Sequence, residues 1–306
     1  MTINIRPQDL PELRTEALLW QASHGDRLIV GWADMAADYN GANVPEFARQ
    51  MWRYEIERLG SAELFYVTRP MAELALAAAA SLPSFRISPA DMPSRTGLVV
   101  FEEALPFGIH WDDGDVSATR AMVWGESTKI VASGGLLVTT YLDSQTFAET
   151  VSSPEATGYG GPTLAVMPGS TFGSGFGDEG WDAQELMATT SAGELLPVLL
   201  AVWLLMQQPL ARTSEVEVDR AARKRLRRAG QEPKPVRVIE LRRPKSSGEP
   251  GDGQSNYHHQ WIVRGHWRQH WHPKRQVHRP VWIAPHIKGP EGAPLIGGEK
   301  VYALKR

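Results

Sequence analysis

Apolar positions in the first 80 residues recur mostly at helical spacing. Phe47, Met51, Tyr54, Ile56 and Leu59 follow the Asn40-Gly41 and Pro45 punctuation at such intervals, which predicts a helix with one buried stripe. The alanine-rich run Met71–Ala80 predicts a second helix, and residues 11–80 as a whole read mainly as helix. Pro83, Pro89 and Pro93 then break the chain into extended segments. From Thr96 short apolar runs alternate with turns, at Gly97–Phe101, Ala121–Trp124, Gly135–Tyr141 and Thr163–Met167, as in an antiparallel sheet. The run Leu195–Met206 is apolar over 12 residues and includes Pro197. A bilayer span needs ~20 such residues, so a buried helix around 193–209 is expected instead.

Beyond it, Arg220–Arg228 predicts a basic helix that stops at Gly230, with Pro233 and Pro235 just past the end. Val236–Arg243 alternates like a strand, and residues 244–256 have the composition of a turn or linker. The Gly-rich stretches at 158–162 and 169–180 lack the strand–loop–helix setting of a phosphate loop, so a hairpin or a covering loop is expected there. The fold class that follows is α+β: a mostly antiparallel sheet, a long buried helix and a basic, β-rich C-terminal subdomain whose strands are candidates to complete the sheet.

Length and composition change this picture little. A chain of 306 residues that is 42% hydrophobic and 22% charged can bury a core without staples. The absence of cysteine removes disulfides, thiolate nucleophiles and cysteine zinc sites together and fits a reducing compartment. The N-terminal segment has no basic and then apolar signature of export, so a soluble cytoplasmic protein without a membrane partner is expected.

Charge changes it more. Residues 1–210 carry 11 Lys/Arg against 26 Asp/Glu, a net −15, whereas residues 211–306 carry 21 against nine, a net +12. An acidic domain over 1–210 and a basic Trp/His/Arg-rich subdomain over 211–306 are therefore expected. The basic part meets either a polyanion such as RNA or the chain's own acidic front. The acids Glu102, Glu103, Asp112, Asp113 and Asp115 read as surface groups or contacts for a basic peptide.

The densest chemistry lies in Tyr257–Arg268. On a strand, Ile262, Arg264, His266 and Arg268 share one face, while Val263, Gly265 and Trp267 share the other. An imidazole between two guanidinium groups suits a phosphodiester: arginine matches phosphate oxygens with a planar fork, and histidine moves a proton near neutral pH. In a metal-independent endoribonuclease, His266 would act as acid or base, with Arg264 and Arg268 stabilising developing charge.

The last 49 residues hold seven of the nine histidines and four of the 11 tryptophans. Interleaved aromatic and basic side chains are what single-stranded nucleic-acid surfaces use. The RNA-contacting set expected on this basis is Arg223, Lys224, Arg225, Arg227, Arg228, His270, Trp271, His272, Lys274 and Arg275. For Trp267 and Trp282 a place in the core of a small sheet is favoured, and for Arg220–Arg228 a solvated face stands beside the RNA reading. The spacing of His266, His270 and His272 suggests zinc, but His272 precedes Pro273 and no acid lies nearby, so neither a metal nor another cofactor is expected.

Several motifs resemble a known family. They are Val263-Arg-Gly-His-Trp-Arg268, His278-Arg-Pro-Val-Trp-Ile-Ala-Pro285, Lys288-Gly-Pro-Glu-Gly-Ala-Pro294 and Val301-Tyr-Ala-Leu304, with Leu204–Gln208 and Val238–Arg243 upstream. Together they are similar to mostly uncharacterised proteins of actinobacteria, their phages and mobile elements, a family that includes the type V anti-CRISPR protein that blocks biosynthesis of its target Cas nuclease. The likeness covers about the last 105 residues well and reaches the front loosely, through Arg95–Glu103. It implies recognition of a nascent polypeptide at the translating ribosome and loss of the encoding mRNA. Two versions stay open: the protein cuts RNA itself, or it binds a peptide or ribosome and recruits a host nuclease.

Overall fold

The computed structural model describes residues 3–37, 44–110, 116–126, 135–143, 161–175, 181–182, 195–242, 260–273 and 276–288. Its contacts divide the chain into two units, residues 1–242 and 243–306. The first runs α1 (Leu10–Ser23), α2 (Gly25–Ala37), α3 (Val44–Ser61), β1 (Glu63–Val67), α4 (Arg69–Ala79), β2 (Arg86–Ile87), β3 (Thr96–Phe101) and β4 (Gly108–His110). It continues through β5 (Val116–Glu126), β6 (Gly135–Asp143), β7 (Leu164–Gly175), β8 (Trp181–Asp182), α5 (Leu195–Met206), β9 (Ala211–Val216), α6 (Arg220–Arg228) and β10 (Val236–Leu241).

The architecture is α+β, built on one large sheet of order β7-β6-β5-β3-β1-β10-β9, with β4 alongside β5. Its centre is parallel, since β1 lies parallel to both β3 and β10, and the remaining pairs are antiparallel. Strand β1 falls inside the stretch read from sequence as mainly helix. Leu64, Phe65, Tyr66 and Val67 are all buried, because both faces of the sheet are covered; such a strand shows no alternation by which to recognise it. Likewise, residues 169–175 of the Gly-rich stretch continue β7 rather than forming a loop, while the expected loop at 244–256 lies outside the described residues.

The two sheet faces are separated by residue parity. Leu64, Tyr66, Leu98, Val100 and Val123 pack with Leu18, Leu28, Trp32, Met51 and Leu59 of the first three helices. On the opposite face Phe65 meets Trp124 at 5.3 Å between ring centroids, and Trp124 meets Trp203 of α5 at the same distance. Residues Leu195–Leu205 of α5 are all buried, which explains an apolar run with no polar side.

A polar network is enclosed between α3 and the sheet. The Arg58 side chain is wholly buried and pairs with Glu55. Its guanidinium also donates to the Leu137 carbonyl at 2.6 Å and to Thr139 Oγ1 at 2.5 Å. The Tyr141 hydroxyl donates to Glu55 and accepts from Gln21 Nε2 at 3.0 Å.

Strands β9 and β10 complete one side of the sheet, so residues 211–242 pack with the first unit, past the charge boundary at 210. The second unit contains β11 (Trp261–Val263), β12 (His266–His272), β13 (Val277–Ile283) and β14 (His286–Lys288). Among the described residues these strands pair with one another: β11 with β14 and β12 with β13, both antiparallel. Val263 opposes His286 and His266 opposes Ile283, so the two pairs share one register and form a single ribbon interrupted at Arg264-Gly265 and Ala284-Pro285.

Candidate nucleic-acid interface

The ribbon's register sorts its side chains, because directly opposed residues share a face. One face carries the cross-strand pairs His266/Ile283, Arg268/Val281, His270/Arg279 and His272/Val277. The other carries Trp267/Trp282, Gln269/Pro280 and Trp271/His278. The seven-residue strand β12 thus holds three imidazoles and one guanidinium on one side and two indoles on the other.

The aromatic face grades from buried to exposed. Trp282 is buried and meets Trp267 edge-on at 5.3 Å between centroids. Gly265 permits this, since a Cβ there would stand 2.4 Å from the Trp282 ring. Trp282 is therefore a core residue and Trp267 a half-buried one. Nearer the turn, Trp271 packs against His278 at 4.9 Å but is 46% exposed.

On the charged face His266, Arg268 and His270 are exposed, as is Arg264 just before the strand. His266 Nδ1 lies 3.0 Å from the Arg264 carbonyl, which can only accept; Nδ1 carries the proton and Nε2 is left for another partner. His266 and His270 are four residues apart along a strand, roughly 13 Å, too far to serve one phosphodiester together. His270 and His272 are neighbours, with ring centroids 5.2 Å apart, and His272 Nε2 is buried without a hydrogen bond. Half-buried Arg279 opposes His270, and burial lowers its pKa from the usual guanidinium value. The register thus sets His270, His272 and Arg279 side by side, with Arg268 next along the face. Among the described residues no three His, Asp or Glu side chains converge as metal ligands would.

Arg279 was not legible as a site residue, because cross-strand register is invisible in a single sequence. Lys274 and Arg275 lie outside the described residues.

The other expected contacts belong to α6 of the first unit. Asp219 caps that helix by accepting from the Ala222 amide at 2.8 Å. It ends in a two-bond glycine cap: Gly230 has φ +71°, its amide donates to the Arg227 carbonyl at 3.1 Å, and Gln231 donates to that of Leu226 at 2.9 Å. Ala222 and Leu226 face inward. Arg225 is held by a forked pair to Glu12 of α1, at 2.5 and 2.9 Å. Arg220, Arg223, Lys224, Arg227 and Arg228 instead line an open depression of about 410 Å³. Helical periodicity alone separates Arg225 from these five and brings in Arg220, which the expected set omitted.

No protein-family model matches the sequence, and no curated protein matches it. Among solved structures the chain is similar to the crystal structure of AcrVA2, with a TM-score of 0.41 and 13% identity over 91% of this chain and 93% of that one. At that likeness the function of one protein says nothing of the other.

Proposed function

We propose that this protein is a regulator of phage or mobile-element type that acts on RNA in the cytoplasm, and that its C-terminal ribbon is the surface that holds the strand. The observation that carries the reading is the two-faced ribbon, with Trp271 exposed for stacking on one side and Arg268, His270 and Arg279 on the other. Composition supports it: residues 253–290 contain no Asp or Glu while carrying six Lys/Arg and seven His. Such a surface attracts phosphates through charge and tolerates any base through stacking. The sequence resemblance adds a nascent peptide as the trigger, read by the acidic first unit.

Cleavage and recruitment remain distinct versions of this function. In a cutting version, acid and base must flank one phosphodiester, and the close pair His270 and His272 suits that better than His266. His266, Arg264 and Arg268 would then hold the flanking backbone. In the recruiting version the same face binds without turnover, and a host nuclease cuts.

The test is binding and cleavage of labelled single-stranded RNA by the full chain in EDTA, across a salt series, beside His266→Ala and His270→Ala. Cleavage lost only in His270→Ala supports cutting at the close pair, and loss only in His266→Ala supports the Arg-flanked histidine. Salt-sensitive binding without cleavage supports recruitment. No binding at low salt overturns the proposal.

A further inference from the structure

The cationic face of α6 has no role in a ribbon that holds a single strand, and its chemistry differs from the ribbon's. Arg220, Arg223, Lys224, Arg227 and Arg228 stand at i, i+3, i+4, i+7 and i+8, so they cover one side of a helix about 13 Å long. Arg223 is steadied by donating to the Val218 carbonyl at 3.1 Å, with Glu217 3.7 Å away. The side chains of Arg220, Lys224, Arg227 and Arg228 make no ion pair or hydrogen bond among the described residues, although Glu12 lies near enough to neutralise Arg225 on the same helix. The front's acids therefore satisfy one flank of α6 and leave the other open.

That open flank contains no aromatic or aliphatic side chain among its five members, so it offers no ring on which bases stack and no apolar face to insert into lipid. Four of the five are arginines, whose planar forks match paired oxygens on phosphate. Buried Ala222 and Leu226 and the caps at both ends fix the helix, so the cations form a rigid array. Stacked bases in a duplex offer phosphates at regular intervals and no free base faces, the ligand such an array complements.

We propose that this face of α6 is a second nucleic-acid site, which grips the phosphate backbone of double-helical RNA without reading sequence. The proposal rests on the reading that the protein acts on RNA, but it concerns a different unit of the chain from the ribbon. The protein would hold a paired region through α6 and an unpaired one through the ribbon.

The experiment measures binding of the full chain to a two-turn RNA duplex, the same duplex in DNA, an unpaired RNA and polyglutamate, each across a salt series. The main variant is R220Q/K224Q/R227Q/R228Q, which keeps Arg225 with Glu12 and the buried residues; Lys224→Gln alone serves if that variant does not fold. Duplex RNA affinity is expected to fall at least ~10-fold in the quadruple variant, with the log–log salt slope reduced by about 3.6. Lys224→Gln should reduce the slope by about one. Unpaired RNA should be unaffected in both, and Trp271→Ala should show the opposite pattern. Duplex binding that is absent, or unchanged in the variants, overturns the proposal. So does tighter binding of duplex DNA or of polyglutamate. A wild type that binds the duplex but not unpaired RNA would sink the ribbon reading and leave α6 standing.

Discussion

Glu55 and Arg58 stand one turn apart on α3, with side chains almost wholly withdrawn from water. Removing one partner from such a pair leaves the other charge buried alone, a larger loss than removing both. Glu55→Leu is expected to cost about 3–5 kcal/mol in urea unfolding, and Glu55→Leu with Arg58→Met distinctly less. Equal losses in both would show that the pair itself stabilises the fold. Tyr66 gives a test in pH. Burial pushes its pKa up to about 12, and its hydroxyl donates to the Ile5 carbonyl at 2.9 Å, which only the protonated phenol can do. An unfolded tyrosine titrates near ~10, so the unfolded chain releases this proton first. The stabilisation is complete below about pH 10 and is lost as pH rises through about 12, an expected change of about 2–3 kcal/mol. Tyr66→Phe should flatten that alkaline fall in a series of urea midpoints. A variant as alkali-sensitive as the wild type would assign the effect elsewhere, first to Tyr141, whose pKa burial also raises.

Elements differ in how far one sequence reveals them. Helix α6 was legible to its C-terminal stop, because Gly230 and the prolines act locally, whereas its N-cap, Asp219, was found only in the structure. The antiparallel strands β3, β5, β6 and β7 were legible from their apolar runs, though not their full lengths. Strand β1 was not, since its character comes from neighbours more than 30 and more than 170 positions away. The ribbon lies between these cases. Its alternation put His266 and Arg268 on one face, but the pairing of His270 with Arg279 needed the second strand. Two tryptophans of the ribbon should therefore behave differently on truncation. Trp271→Ala, at an exposed ring, is expected to weaken RNA binding by about 1–3 kcal/mol with little change in stability. Trp282→Ala removes the ring that covers Gly265 and should lower stability by about 3–5 kcal/mol, seen as loss of near-ultraviolet tryptophan dichroism. If both changed binding alone, the ribbon would lack the packed end described above.

For the whole molecule, the reversal of charge and the edge of a folding unit fall at different places along the chain. Net charge reverses near residue 210, yet β9 and β10 bond into the sheet and the units divide after Arg242. Charge is set by what a surface meets, whereas a fold boundary is set by which strands share hydrogen bonds, so the two need not coincide. A fragment of residues 1–242 is expected to unfold cooperatively in urea. One of residues 1–210 should not, because it leaves the β10 side of β1 unpaired. Cooperative unfolding of the shorter fragment would restore the boundary at 210.

The parallel pairing of β1 with β10 also sets an order of events during synthesis. Leu64 opposes Val236, so 172 further residues must be made before that side of β1 finds its partner. At ribosomal speeds of about 5–20 residues per second the wait is roughly 10–30 s. Through that interval the middle of the future sheet is an edge on which the backbone of Phe65 and Tyr66 lacks its β10 partner, while α1, α2 and α3 have already been made. The first unit therefore cannot reach its final fold until β10, more than 170 positions beyond β1, has left the peptidyl-transferase centre.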